Sequence, residues 1–244
     1  QFRGVSPINA YLPLMKPMAL TSIAQFRAPG PPALTSARYT ADFDETKAMG
    51  GATSTTRSPQ QIEIARFHTE RPDPFQSRNF RKLAASQPTV AENARLAAQA
   101  WVTINDATLA CFESKYHYNT WRPTSAINLA DTDGNPDTAP DPAWTPFVPT
   151  PNHPEYPAAH GCALGSLAQL LKRYFGTREV QFTLDSTVTG TTHTFHTTDE
   201  IAAESVTARI WGGMHFRTSV EHGVALGQAT ADWVADHHFQ AVGQ

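Results

Sequence analysis

The chain has 244 residues, enough to bury a substantial core within one domain. Its formal net charge is -3, so no general basic surface recruits nucleic acid or an anionic membrane. No apolar run approaches the roughly 20 residues that a membrane-spanning helix needs. We therefore expect a soluble protein without nucleic acid or membrane as partner.

The first 58 residues differ in composition from the rest. They are rich in proline, glycine, serine and threonine, which predicts an irregular arm over 1–58 with few regular elements, followed by a helical bundle domain over 59–244. Ser58-Pro59 carry the capping serine and first-turn proline of a helix. The start at Gln1, without a charged leader, is typical of a processed or truncated product.

The strongest helical signal runs from Thr89 to about Tyr116. Residues recurring at steps of four and three predict one buried stripe, made of Val90, Ala94, Ala97, Trp101, Ile104, Thr108 and Cys111. Lys115 is the next position of this stripe, so it is expected to point inward and meet an anion, because an unpaired buried ammonium is unfavourable. The alternative is that Lys115 reaches solvent at the helix end.

A second helix is predicted from Pro157 to Phe175, with Gly176 as its cap. Its buried stripe is His160, Leu164, Leu167, Leu171 and Tyr174. His160 lies in the first turn, where free amides and the helix dipole favour an anion, although a histidine on an apolar stripe is often an ordinary core residue.

Further along, residues 180–196 predict a β-hairpin with its turn at Thr189-Gly190. Helices are predicted over 199–211 and from 216 to about 239, on either side of Gly212-Gly213. The fold class is therefore mainly α, a helical bundle with one short β-hairpin and an irregular N-terminal arm.

Two features allow more than one interpretation. Cys111 and Cys162 are interpreted as separate buried thiols, with a disulfide between them as the alternative. One loop places oxygen-bearing side chains at alternate positions, as a calcium site does: Asp131, Asp133, Asn135 and Asp137. Its glycine does not suit an EF-hand and no glutamate closes it, so a solvated acidic turn is preferred over calcium.

Three segments carry the candidate chemistry: KYHYNTWRP, PAAHG and ARIWGGMH. They supply the cations Lys115, Arg122 and Arg209 and the histidines His160 and His215, with no carboxylate among them. Such a set of donors suits a tetrahedral oxyanion. A histidine beside it can serve as nucleophile, metal ligand or proton donor.

The order and spacing of these residues resemble the signature of vanadium-dependent haloperoxidases and the type 2 phosphatidic acid phosphatase superfamily: K-x6-R-P, P-S-G-H and S-R-x5-H-x3-D. The flanking stretches WRPTSAI, TPNHPEYP and GGMHFR are most similar to the bacterial haloperoxidase branch. The resemblance is strongest from about Ala91 to Gly227.

The resemblance implies a role for each residue. His215 would bind the metal of vanadate, or attack phosphorus in a phosphatase, and His160 would be the catalytic acid–base group. Lys115 would polarise peroxide as well as bind the oxyanion. The residues implied to hold the oxygens of vanadate or phosphate are Lys115, Arg122, Ala158, Ala159 and Arg209.

Two positions depart from the family pattern. Ala158-Ala159 replace the usual Ser-Gly, which removes a hydroxyl contact worth about 1.5–3 kcal/mol. Ser219 stands where phosphatases commonly carry the aspartate that orients the nucleophilic histidine, with Glu221 or Asp199 as possible substitutes. Without a carboxylate His215 is a poor phosphate nucleophile, whereas a metal ligand needs only a neutral ring nitrogen and some partner on the other.

These features favour a vanadate-dependent haloperoxidase, an oxidoreductase that uses hydrogen peroxide to oxidise halide to a hypohalous species, which halogenates a small organic acceptor. The alternatives are a soluble acid phosphatase acting through a phosphohistidine and a non-catalytic phosphate-binding homologue. The resemblance also implies a secreted or periplasmic protein. Because known haloperoxidases are larger, we expect either a missing N-terminal portion or a homo-oligomer.

Two groups of aromatic and histidine side chains complete the prediction. One group lies beside the motifs and is expected to line the substrate pocket or to belong to the core: Phe112, Trp121, His153 and Tyr156. The other group shows no ligand spacing and is expected mostly at the surface: His193, His196, His222, His237 and His238.

Overall fold

The computed structural model describes residues 2–4 and 6–240, apart from the Asp73 side chain. Its helices are α1 (Ala37–Gly50), α2 (Pro59–Phe67), α3 (Pro72–Ala84), α4 (Val90–Tyr118), α5 (Pro123–Asn128), α6 (Ala159–Phe175), α7 (Thr198–Trp211) and α8 (Arg217–His237). Strands β1 (Phe182–Ser186) and β2 (Thr191–Phe195) form an antiparallel hairpin. The predicted class, mainly α with one short hairpin, is confirmed. The outer limits of the two predicted domains, residues 1 and 244, lie outside the described residues.

Helix α6 is the centre of the bundle and packs against α4, α7 and α8. Its buried leucines include Leu164, Leu167 and Leu171. The contact with α8 is close, since a Cβ at Gly165 would lie 2.7 Å from the Val224 Cα, and one at Gly227 would lie 2.2 Å from the Cys162 carbonyl oxygen. Glycine therefore allows the backbones of α6 and α8 to come into direct contact. Near the start of both helices, the Ala158 amide donates to the Ser219 carbonyl at 2.9 Å.

The buried face of α4 differs from the predicted stripe in the first half of the helix. Val90 is 83% exposed and Trp101 is 43% exposed, while Leu96 and Ala100 are buried instead. The prediction is wrong here because α4 is rich in alanine on every side, so its early turns do not define one apolar face. It is correct nearer the end, where Ile104, Cys111 and Lys115 are buried.

Most predicted element limits are confirmed to within a few residues. Helix α2 begins at Pro59 after a capping box formed by Ser58 and Gln61. Helix α6 begins at Ala159, two residues later than predicted, and ends with Gly176 at a φ of 70°. The hairpin turn contains Gly190 at a φ of 72°.

The N-terminal arm contains more regular structure than predicted. Helix α1 has 14 residues and begins where the Ser36 side chain accepts a hydrogen bond from the Tyr39 amide. The expectation of few regular elements is wrong for this helix, whose many polar residues hide its periodicity. Upstream of α1, the buried carboxylate of Asp106 on α4 accepts hydrogen bonds from the amides of Met18, Ala19 and Leu20 at 2.7–2.9 Å.

A disulfide between Cys111 and Cys162 joins α4 to α6, with 6.3 Å between the two Cα atoms. The preferred interpretation of two separate thiols is therefore wrong, and the alternative is correct. Cys111 precedes Lys115 by four residues, and Cys162 follows His160 by two. The disulfide therefore links two of the segments that carry the candidate chemistry.

The loop over residues 131–137 is tied into the fold. Asp133 accepts hydrogen bonds from the Asn135 amide at 2.7 Å and from Thr138 Oγ1 at 2.8 Å. Asn135 Nδ2 donates to the Leu34 carbonyl at 2.7 Å. The predicted solvated turn is wrong for Asp133 and Asn135, which are buried, because their side chains close the turn and hold the arm.

Across residues 2–4 and 6–240, no helix is long and apolar enough to cross a membrane.

Candidate functional site

The three predicted segments meet at one end of the bundle. Lys115 lies in the last turn of α4, and Arg122 lies just before α5. His160 is in the first turn of α6, Arg209 is in the last turn of α7, and His215 follows in the connection to α8. We call Lys115, Arg122 and Arg209 the cation cluster.

A tight chain reversal between α7 and α8 places His215. Gly213 has a φ of 74°, a conformation that favours glycine, and a Cβ there would lie 2.3 Å from the Gly50 carbonyl oxygen. At the Gly212-Gly213 break predicted between α7 and α8, glycine is therefore needed at position 213 for two reasons. It adopts the positive φ, and it leaves room for the Gly50 carbonyl.

Lys115 is fully buried, and within the described part of the chain its ammonium group donates to backbone carbonyls. Its Nζ donates to the carbonyls of Pro154 at 3.0 Å and Glu155 at 2.9 Å. Burial and the charge of Arg122 lower the pKa of Lys115 well below 10.5. The inward orientation is confirmed, and the lysine donates to carbonyl dipoles, which leave the positive charge largely uncompensated.

Arg122 is buried at the centre of the cluster. Its Nε donates to the His153 carbonyl, and its Nη1 donates to the Met214 carbonyl and to His215 Nε2, each at 2.9 Å. Burial lowers the pKa of Arg122 to about 10.

Arg209 is the least satisfied of the three cations. It donates to the His68 carbonyl at 3.0 Å and approaches the Met214 sulfur at 3.0 Å. Its Nε is buried and has no hydrogen-bond partner among the described residues. Burial and the charge of Arg122 lower the pKa of Arg209 to about 9. An acceptor is therefore missing at this guanidinium.

His215 is held between an acceptor and a donor. Its Nδ1 lies 2.9 Å from Glu155 Oε1, which also accepts from the Phe216 amide at 3.0 Å. Because a guanidinium only donates, Arg122 requires His215 Nε2 to be an acceptor, which puts the ring proton on Nδ1. Burial, Arg122 and Lys115 lower the pKa of His215 well below 6.5, so the ring is neutral. The Nε2 lone pair therefore faces the cations.

Glu155 was not among the sequence-predicted site residues. It lies 60 positions from His215, and burial raises its pKa to about 7. The sequence feature that could have indicated Glu155 as a site residue is its position in the TPNHPEYP stretch, which resembles the haloperoxidase branch. The predicted substitutes are wrong for this contact, because Glu221 pairs with Arg38 and Asp199 pairs with Arg178. Ser219 Oγ donates to the Glu155 backbone carbonyl at 3.4 Å.

His160 and the two alanines complete the predicted set. The partly exposed side chain of His160 has a pKa lowered well below 6.5, chiefly by burial and by the charge of Arg209. The Ala158 amide already donates to Ser219, so it is occupied, and Ala159 is the first residue of α6.

The aromatic neighbours of the motifs separate into two places. His153 packs on Phe112 with 5.0 Å between ring centroids, and His153 Nδ1 lies 3.1 Å from Arg122 Nη2. Trp121 and Tyr156 instead line a separate cavity, together with Glu155 itself.

The surface position expected for most of the remaining histidines is wrong for three of them, since His193, His222 and His238 are half-buried. His238 Nε2 lies 3.0 Å from the Ala19 carbonyl oxygen. His193 is half-buried between Glu204 and Glu63, at 2.9 Å from each carboxylate. His222 is half-buried, and its Nδ1 lies 2.6 Å from the Tyr156 hydroxyl. Hydrogen-bond partners from distant segments explain all three positions.

Comparison with known proteins gives the family. Residues 95–244 match the family described as the VCPO second helical-bundle domain. The chain belongs to this family.

Individual relatives agree with that assignment. A vanadium chloroperoxidase from Curvularia inaequalis is 29% identical over 192 residues, which are 65% of this chain and 31% of that protein. A bacterial vanadium-dependent iodoperoxidase structure superposes with a TM-score of 0.78 at 26% identity, over 97% of this chain and 60% of that one. A holo-type bacterial vanadium-dependent chloroperoxidase superposes with a TM-score of 0.75 at 18% identity, over 93% and 54%. The chain thus spans less than two thirds of each relative's length.

The charge of this VCPO helical-bundle site suits an anion. Three buried cations face one nearby carboxylate, Glu155, and Arg209 Nε has no acceptor. Within residues 2–4 and 6–240, no group of three or more His, Cys, Asp or Glu side chains is arranged to hold a metal cation. The donor set therefore fits vanadate or phosphate, whose oxygens need donors, and His215 Nε2 accepts from Arg122 of this set at 2.9 Å.

Proposed function

We propose that this chain carries the oxyanion site of a vanadate-dependent haloperoxidase, in which hydrogen peroxide oxidises halide to a hypohalous species. One observation carries the proposal: the neutral Nε2 of His215 accepts from Arg122 of the cation cluster at 2.9 Å, while Glu155 holds its other nitrogen at 2.9 Å. A histidine ligand with its second nitrogen held by a carboxylate is the usual arrangement at protein metal sites.

The residues of the chain have distinct tasks in this proposal. Lys115, Arg122 and Arg209 would hold the vanadate oxygens, and the missing acceptor at Arg209 Nε would be supplied by one of them. Bound vanadate would supply the Lewis acid that activates hydrogen peroxide. His160, kept neutral by its lowered pKa, would accept a proton from the incoming peroxide. Phe112 and His153 would exclude water beside Lys115 and Arg122.

An acid phosphatase acting through a phosphohistidine at His215 is the second candidate. Glu155 favours this candidate, because it supplies to His215 the carboxylate partner that Ser219 cannot supply. The same neutral Nε2 would attack phosphorus once Arg122, which donates to it at 2.9 Å, donates to a phosphate oxygen instead. The bond from phosphorus to the alkoxide oxygen would break, and His160, protonated in the phosphate complex, would give its proton to that oxygen.

Paired assays on metal-stripped protein test these candidates, with and without orthovanadate. One follows halogenation of a phenol with bromide and peroxide, and the other follows hydrolysis of an aryl phosphate. We expect halogenation only with vanadate, lost in His215→Ala and retained in the control His196→Ala, which removes an exposed histidine. Hydrolysis that vanadate inhibits would assign the phosphatase instead.

A binding measurement covers the case in which neither assay responds. Orthovanadate and phosphate are titrated by calorimetry into the wild-type chain and His215→Ala. Binding without turnover would identify a non-catalytic oxyanion-binding homologue, and no binding of either anion would overturn the proposal.

A further inference from the structure

The backbone carbonyl of His68 is shared by two residues of the proposed oxyanion site. His68 caps the C-terminal end of α2 and is 2% exposed. Its carbonyl oxygen accepts from Arg209 Nη1 at 3.0 Å, across 141 positions of the chain. Burial lowers the pKa of His160 most, and a hydrogen bond from the His160 ring to the His68 backbone opposes that effect. One carbonyl therefore contacts site residues on two different helices, α6 and α7.

Arg209 depends on this carbonyl more than the other two cations depend on any single acceptor. Lys115 and Arg122 each donate to two backbone carbonyls. Among the described residues, the His68 carbonyl is the one oxygen that accepts from Arg209, and the other contact is with the sulfur of Met214, a weak acceptor. The orientation of the Arg209 guanidinium is therefore set largely by where this carbonyl lies.

The side chain of His68 is itself held in place. Its Nε2 lies 2.8 Å from Glu204 Oε1, on the same helix as Arg209. Burial lowers the pKa of His68 below 6.5, so its ring is neutral and donates to the carboxylate through Nε2. The ring also meets Phe67 edge to face, with centroids 5.1 Å apart. Because the last carbonyls of a helix have no partner within it, the contacts of the ring decide where the His68 carbonyl points.

We propose that His68 is a positioning residue of the oxyanion site, whose carbonyl holds Arg209 and His160 in the orientation that receives the anion. This inference rests on the proposed function. A carbonyl at the C-terminal end of a helix carries partial negative charge, which favours a nearby cation such as Arg209. His68 acts through these two residues and is not itself a ligand of the anion.

His193 provides the comparison that separates positioning from general packing. Its Nδ1 lies 2.9 Å from the same Glu204 oxygen, and its ring stacks on Phe67 with centroids 3.7 Å apart. Among the described residues, its side chain makes no hydrogen bond to Arg209 or His160. Loss of packing alone would make substitutions at positions 68 and 193 equivalent, whereas positioning makes them differ.

Two substitutions separate the ring of His68 from its donor. His68→Phe keeps a ring beside Phe67 and removes the donor to Glu204, so it should weaken orthovanadate binding about tenfold. His68→Gln restores a donor and should bind within about threefold of wild type. His193→Gln, the matched control, should change the affinity less than about twofold. Calorimetry measures the affinity, and denaturant unfolding shows whether each variant is folded.

The ring ¹⁵N resonances of His160, assigned with His160→Gln, give a second readout that needs no anion. They should shift in His68→Phe, because the His160 ring loses its acceptor, and should keep their wild-type values in His193→Gln. If the wild-type chain binds neither orthovanadate nor phosphate, the proposed function fails. The His160 resonances then decide by themselves whether His68 positions that ring.

Equal losses of affinity in His68→Phe and His193→Gln would overturn the proposal, as would His160 resonances that do not shift in His68→Phe. A tenfold loss in His68→Gln would also contradict it, since the donor to Glu204 is restored there. If His68→Phe does not fold, Glu204→Leu replaces it, because it removes the acceptor of the His68 ring, and the same results are expected or contrary. Glu204→Gln keeps that acceptor and should leave the anion affinity nearly unchanged.

Discussion

Two polar groups lie side by side in this molecule, one buried and one partly buried, and their charges are balanced differently. The cation cluster donates mainly to backbone carbonyls, and burial lowers the pKa of each member. Beside it lies a histidine–glutamate chain formed by His68, Glu204, His193 and Glu63. Its side chains pair with one another at 2.8–2.9 Å. Arg209 links the two groups by donating to the His68 carbonyl.

The pKa values express this difference. Burial raises the pKa of Glu204, but hydrogen bonds from His193 and His68 outweigh it and lower the pKa to about 2. Burial lowers the pKa of His193, yet its two glutamates raise it overall. The histidine–glutamate chain thus supplies its own counter-charges, whereas the three cations of the cation cluster share one nearby carboxylate, Glu155. A group that is satisfied internally stabilises the fold, and one left unbalanced requires a ligand.

The largest expected effect comes from removing one cation. Arg209→Met should weaken orthovanadate binding about 100-fold, because a hydrogen bond to a charged group is worth about 1.5–3 kcal/mol. Without anion, the free energy of unfolding should stay the same or rise, since repulsion with Arg122 is removed. Calorimetry and denaturant unfolding measure the two quantities.

Arg57→Met is the matched control for that prediction. Arg57 is also buried and donates to the Trp211 carbonyl, but it lies outside the cation cluster. This variant should lose about 1 kcal/mol of stability and keep its vanadate affinity. If Arg209→Met destabilised the anion-free protein as much as Arg57→Met does, the cluster would not be short of negative charge.

A smaller effect is expected in the histidine–glutamate chain. Glu204→Gln should lower the free energy of unfolding by about 2 kcal/mol at pH 6, because two histidines lose their carboxylate partner. Vanadate affinity should change less than about twofold. Glu63→Gln, which affects only His193, is the milder control. A loss of anion binding equal to that of Arg209→Met would mean that the two groups act as one.

The smallest effect is a pH dependence. The folded-state pKa of His193 is raised above 6.5, so its contribution to stability is complete below about pH 6.5 and is lost as the pH rises through the folded value. The stability difference between wild type and His193→Gln should be about 1 kcal/mol at pH 6 and smaller at pH 9. Denaturant unfolding at both values measures it. A difference that grew with pH would contradict the charged His193–Glu204 pair.

Helix caps and turns were predicted correctly where all the residues that determine them lie in one short segment. The Ser58 cap, the Gly176 cap and the turn at Gly190 depend on residues within a few positions of one another. The spacing of Lys115 and Arg122 likewise survives in the folded site. Helix α4 shows the limit, because alanines on all sides left the orientation of Trp101 to the packing of neighbouring helices.

The sequence by itself determined the helical class, most element ends and the set of cations that meet at one end of the bundle. Only the tertiary structure decided which partners those residues receive. Glu155 reaches His215 across 60 positions, and His68 reaches Glu204 across 136. Such pairs carry no local pattern, because their contact depends on how α2 packs on α7 and how α6, α7 and α8 pack together. Short-range periodicity therefore predicts the elements, whereas the charge balance of the site follows from long-range packing.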